Sequence, residues 1–119
     1  MKVLIVDDEP LIRRSLVRAF ANYGHVVFEA DDGVKGLEIW QAEAPDIILL
    51  DILMPGLTGP QVLDQIENRG NAKIILMSAY AGEYNLKKAN ELGADMFIPK
   101  PFTDIFAVVQ IAENLMVVN

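Results

Sequence analysis

The sequence predicts an α/β protein, a (βα)5 chain with a doubly wound, five-stranded parallel sheet covered by helices on both faces. Three observations carry this expectation. Short apolar runs rich in Val and Ile recur at residues 3–6, 26–28, 47–50, 74–77 and 96–98, each too short for a helix and apolar enough for a strand buried on both sides. Segments with helical spacing alternate strictly with these runs. Their lengths suit crossovers between parallel strands, which no tight turn can join.

The first helix opens on Pro10, a residue suited to the first helical position, and closes at Gly24. Its expected apolar stripe is Leu11, Ile12, Leu16, Ala19, Phe20 and Tyr23, with Arg13, Arg14 and Arg18 on the opposite side. The second helix carries Val34, Leu37, Trp40 and Ala44 and stops before Pro45. Gly33 and Gly36 lower its propensity, so it has to form by packing. A third follows Pro60 with Val62, Leu63 and Ile66, and a short fourth carries Tyr84, Leu86, Ala89 and Leu92 before Gly93. The fifth runs from about Asp104 to the end of the sequence. Spacing places Ile105, Val108, Val109, Ala112 and Met116 toward the sheet, and leaves Phe106 and Val117, flanked by Ile111 and Val118, as an outward apolar patch.

With 119 residues, 52% apolar and 23% charged, the chain is expected to form a single globular domain spanning residues 1–119. Its net charge of −7 repels phosphate backbones and anionic lipid, which argues against direct nucleic-acid or membrane binding. There is no cysteine, so disulfides, thiolate metal sites and cysteine catalysis are excluded. The apolar runs are too short to span a membrane, and Met1-Lys2 leads straight into the first strand without a signal-peptide core. A cytoplasmic protein is expected.

The chemistry-bearing residues follow the strands: Asp7-Asp8-Glu9 after the first, Asp51 after the third, Ser78 after the fourth and Lys100 after the fifth. In an open parallel sheet these ends share one pole, where such folds bind ligands. Carboxylates gathered there repel and raise one another's pKa, so the pocket calls for a cation. Replacing Asp7 or Asp8 by Asn should therefore relieve repulsion in the metal-free protein. With oxygen ligands only, Mg²⁺ is the best candidate, with Mn²⁺ as the alternative. A carboxylate can attack phosphorus to give an aspartyl phosphate, and Asp51 is placed to do so. The Lys100 ammonium and the Ser78 hydroxyl are then available to stabilise charge on the transferring group.

In this order and spacing, Val6-Asp7-Asp8-Glu9-Pro10, Leu50-Asp51-Ile52-Leu53-Met54-Pro55-Gly56, Met77-Ser78-Ala79-Tyr80 and Lys100-Pro101-Phe102 resemble the receiver domain of two-component response regulators over essentially the whole chain. The resemblance implies a flavodoxin-like receiver fold with strand order 2-1-3-4-5. It implies that a sensor histidine kinase or phosphotransfer protein donates a phosphoryl group to Asp51 in a phosphorelay. Asp8 would bind Mg²⁺ directly, Asp7 mostly through water, and Asp51 and the Leu53 carbonyl would complete the protein ligands. Ser78 and Phe97 would be the switch residues and Lys100 would pair with a phosphoryl oxygen. Leu53 and Tyr80 would tune hydrolysis of the aspartyl phosphate, and the Lys100-Pro101 bond is often cis in the family. The output surface would be helix 4, strand 5 and helix 5, used for a homodimer or effector contact. Such a domain is a signalling phosphoacceptor that assists its own phosphoryl transfer and dephosphorylation.

Two other readings compete. A haloacid-dehalogenase-type phosphatase also uses an aspartyl nucleophile with Mg²⁺, but needs an acid two positions later, where this chain has Leu53. A pseudo-receiver acting only as a protein-binding module is opposed by the retention of Asp7, Asp8, Asp51, Ser78 and Lys100. Phe97 lacks the hydroxyl a Tyr would offer, so its rotamer is governed by packing.

Overall fold

The computed structural model describes residues 1–80 and 84–117. Elements alternate as expected: β1 (Lys2–Val6), α1 (Pro10–Asn22), β2 (Val26–Ala30), α2 (Gly33–Glu43), β3 (Ile47–Asp51), α3 (Gly59–Gln65), β4 (Lys73–Ser78), α4 (Leu86–Glu91), β5 (Met96–Pro99) and α5 (Ile105–Met116). All strand pairs are parallel and the sheet order is β2-β1-β3-β4-β5, with β3 at its centre. Among the described residues no helix is long and apolar enough to cross a membrane.

Local chemistry sets the helix starts. Asp32 accepts the Lys35 N–H, Asn85 the Lys88 N–H and Asp104 the Phe106 N–H, so each begins its helix by capping an otherwise orphaned donor. Thr58 and Gln61 form a reciprocal capping box ahead of α3. Gly36 lowers the propensity of α2 but lets the helix lie close to the sheet: a Cβ there would come within 2.8 Å of a Val6 methyl.

Successive strand residues point to opposite faces, and two cores result. Leu4, Val6, Ile48, Leu50, Ile74 and Leu76 pack with Trp40, Val62, Leu63 and Ala89 beneath α2, α3 and α4. Val3, Ile5, Ile47, Leu49, Ile75 and Met77 pack with Leu16, Phe20, Val108, Val109 and Ala112 beneath α1 and α5. His25, just before β2, bridges to α5 through Nε2 and Glu113 Oε2 at 2.7 Å.

Several expected helix faces are corrected. On α1 the inward line is Arg13, Leu16, Ala19 and Phe20, while Leu11 is 84% exposed and Tyr23 has left the helix to lie half-exposed against the Phe106 ring. The buried position in the first turn of α1 is an arginine, whose guanidinium meets the Asp7 carbonyl and the Glu29 carboxylate of β2. Val34 and Leu86, both in first turns, and Met116, in a last turn, are also exposed. Tyr84 precedes α4 and packs partly against its core. Ile111 packs partly against the α1–α5 core and is not free on the outer side. Phe106 and Val117 are exposed as expected, and Val118 lies outside the described residues.

Candidate functional site

Four strand ends deliver the site. In the register Val6 lies beside both Ala30 and Leu50, Asp51 beside Met77 and Ser78 beside Pro99, which brings Asp7, Asp51, Ser78 and Lys100 to one edge. Asp8, Glu9, Asp51, Leu53, Ser78, Ala79, Tyr80 and Lys100 line a cavity of about 190 Å³ there. A larger cleft of about 620 Å³ opens at the opposite pole, between Trp40, Asp46 and residues 67–72. Size misleads here: the converging acids and the buried lysine belong to the smaller cavity.

Asp51 closes β3, where Gly59 leaves room for the chain to turn back. A Cβ at position 59 would lie 2.7 Å from the Asp51 carbonyl oxygen. Lys100 Nζ sits among three carboxylates, 2.9 Å from Asp7 Oδ2, 3.1 Å from Glu9 Oε1 and 3.2 Å from Asp51 Oδ2. An ammonium has three N–H donors, so each carboxylate receives one. Asp7 is wholly buried, and its other oxygen accepts the Glu9 N–H at 2.9 Å. Ser78 is buried and its hydroxyl accepts the Tyr80 N–H at 2.9 Å.

Burial, reinforced by the charge of Asp7, pushes the Asp51 carboxyl up to about 7 against the opposing pull of Lys100. Burial alone would lower the Lys100 pKa, but the hydrogen bond it donates to Asp7 and the charges of Asp51 and Asp7 outweigh it and hold the ammonium above its ordinary range. Lys100 is thus the cation that permits acids to be buried together.

One oxygen each from Asp7, Asp8 and Asp51 lie within 4.8 Å of one another. Three clustered carboxylate oxygens are the hard donor set that suits Mg²⁺, an ion that takes one or two carboxylates and keeps several waters. Asp7 has both oxygens engaged, which suits contact through water. Asp8 is only partly buried, and its carboxylate makes no hydrogen bond among the described residues.

The remaining expected site residues divide by position. Leu53 and Tyr80 stand exposed at the cavity mouth. Phe97 lies outside the cavity wall, half-buried against the core that carries α4. The Lys100-Pro101 bond is cis. Two participants were not assigned roles from sequence. Glu9 was visible as the third acid of a run, but its bond to Lys100 was not, and Arg13 gave no signal apart from its charge.

A doubly wound sheet with an acid cluster, a buried lysine and a buried hydroxyl at its carboxyl edge is the arrangement expected of a receiver domain. The sequence profile of the response regulator receiver domain matches residues 3–111, and the chain belongs to that family. It is 39% identical over 102 residues, 86% of this chain and 40% of the relative, to the probable transcriptional regulator ycf27 of Guillardia theta. Over 109 residues, 92% of this chain and 47% of the relative, it is 36% identical to the transcriptional regulatory protein CseB of Streptomyces coelicolor. The chain thus spans less than half the length of these curated relatives. Among solved structures, the N-terminal domain of the uncharacterised protein WS1339 of Wolinella succinogenes superposes with a TM-score of 0.84 at 33% identity, over 98% of this chain and 94% of that one. The receiver domain of the Francisella response regulator 1452 does so with a TM-score of 0.86 at 28% identity, over 96% and 94%.

Proposed function

We propose that this receiver domain accepts a phosphoryl group on Asp51 from the phosphohistidine of a sensor kinase or phosphotransfer protein. The carrying observation is the placement of Asp51 beside Lys100 in a cavity that also holds Asp8 and Ser78. An Asp51 carboxylate oxygen attacks phosphorus, the phosphorus–nitrogen bond breaks, and its electron pair stays on the donor imidazole, which then takes a proton. Lys100 releases Asp51 or Glu9 to meet a phosphoryl oxygen, and the Ser78 O–H donates to another. Asp8 directly, Asp7 through water, Asp51 and the Leu53 carbonyl would hold Mg²⁺, which supplies charge neutralisation on the transferring group. The same groups assist later attack by water, so that the domain limits its own phosphorylated lifetime.

The output we assign to the surface of α4, β5 and α5, where Phe97 couples the cavity edge to the α4 core. Its role is to control an effector or a homodimer in the cytoplasm, and the regulatory relatives support an effector. The test is incubation with acetyl phosphate and Mg²⁺, read by intact mass. One added phosphoryl group is expected, absent in Asp51→Ala; addition that persists in this variant overturns the assignment of Asp51.

A further inference from the structure

Arg13 is the one arginine of α1 that is buried, at 9% exposure, while Arg14 and Arg18 face water. A guanidinium leaves water only for strong partners. Here Nη1 donates to the Asp7 carbonyl oxygen at 3.0 Å and Nε to Glu29 Oε1 on β2 at 2.9 Å. The Asp7 N–H in turn donates to the Ala30 carbonyl at 3.1 Å, so both backbone polar groups of Asp7 are tied, one to β2 and one to a residue anchored on β2. Its side chain is fixed by the Glu9 N–H and Lys100. Asp7 therefore has no freedom to turn.

We infer that Arg13 is a positioning residue for metal binding: it holds the β1–α1 loop so that the Asp7 carboxylate, and Asp8 after it, face Asp51. The inference rests on the reading of these acids as the Mg²⁺ site. Groups that orient ligands from behind typically change metal affinity by about 10–100-fold when removed. The sign of the effect separates this role from general electrostatics. Arg13 is a cation near a cation site, so deleting its charge should by Coulomb's law tighten Mg²⁺ binding. Loss of positioning should weaken it.

The experiment is calorimetric titration of Mg²⁺ into the wild type, Arg13→Met, Arg13→Lys and Arg14→Met, with Mn²⁺ binding by electron paramagnetic resonance as a second readout. The folded fraction is checked by urea denaturation. Arg13→Met is expected to bind Mg²⁺ about tenfold more weakly while still folded. Arg13→Lys keeps the charge but cannot reach both acceptors, and is expected to lose roughly threefold, which also serves if the Met variant does not fold. Arg14→Met should bind as the wild type or slightly tighter. Unchanged or tighter binding in both Arg13 variants, whatever their stability, overturns the inference alone. A wild type that takes up no Mg²⁺ overturns the metal reading beneath it, and the inference with it.

Discussion

Lys100 Nζ and Asp51 Oδ2 lie 3.2 Å apart across 49 positions of sequence, and the lysine gives its other two N–H groups to Asp7 and Glu9. Breaking a buried pair by removing one partner leaves uncompensated charge, at a cost of about 3–5 kcal/mol. Lys100→Met is therefore expected to destabilise the metal-free protein by about 3 kcal/mol, with Mg²⁺ restoring much of the loss. Urea denaturation with and without Mg²⁺ checks this. An equal loss in both would mean that Lys100 matters through packing alone.

Asp51 gives the metal-free protein a distinctive pH dependence. Its folded pKa of about 7 is above the unfolded value, so between about pH 4 and pH 7 the native state holds a proton the unfolded chain has released. The stabilisation from that proton is complete at the acid end and is lost as pH rises toward 7. Asp51→Asn should flatten this slope and be more stable than the wild type at pH 8, by on the order of 2 kcal/mol, in the presence of chelator. Parallel stability curves for the two proteins would refute the assignment of the slope to Asp51.

Asp7 and Asp8 are expected to diverge. Repulsion alone predicts that either Asn substitution stabilises the metal-free protein. The structure reverses this for Asp7, whose carboxylate is held by the Lys100 ammonium and the Glu9 N–H. Hydrogen bonds to charged groups contribute about 1.5–3 kcal/mol, so Asp7→Asn should cost about 1–2 kcal/mol, while Asp8→Asn should be neutral or slightly stabilising. Thermal denaturation in chelator ranks the two, and equal shifts would count against the clamp.

Leu53 and Tyr80 flank the cavity mouth without offering a carboxylate or amide to hold an attacking water. The aspartyl phosphate should therefore decay more slowly in the wild type than in a Leu53→Asn, Tyr80→Glu double variant. Chase of radiolabelled phosphate decides; decay at least as fast in the wild type defeats the argument that these side chains leave the attacking water unheld.

Phe106 and Val117 leave apolar surface on α5 exposed, with the Tyr23 ring 6.2 Å from that of Phe106. If α5 mediates self-association, sedimentation of the phosphorylated protein should show a dimer that Phe106→Glu weakens. A monomer with and without phosphorylation eliminates the homodimer form of the output.

The sheet was legible because buried parallel strands leave an unmistakable trace, and the clustering of the candidate residues because four of the five strands lead into a chemically distinctive one. Asp7, Asp51, Ser78 and Lys100 all emerge at one edge as their strand positions require. Helix faces were less legible at first and last turns. Hydrophobic spacing assumes that the core lies beneath every turn, whereas Leu11, Val34 and Leu86, all in first turns, are exposed. Arg13 was hidden for the converse reason: its partners are a backbone carbonyl and a carboxylate on another strand, which no periodicity records.

Trp40 is the sole tryptophan of the chain and is buried on the inner face of α2, at the cleft on the pole opposite the acids. In optical terms this makes the protein its own unfolding probe while leaving it nearly blind to its ligands. Indole emission should follow loss of the core, whereas occupation of the acid cluster happens at the opposite edge of the sheet. Intrinsic fluorescence can thus certify that Arg13 and Lys100 variants are folded without being confounded by Mg²⁺, and a bound-state signal has to be introduced at the other pole, for which an exposed position such as Tyr80 is suited.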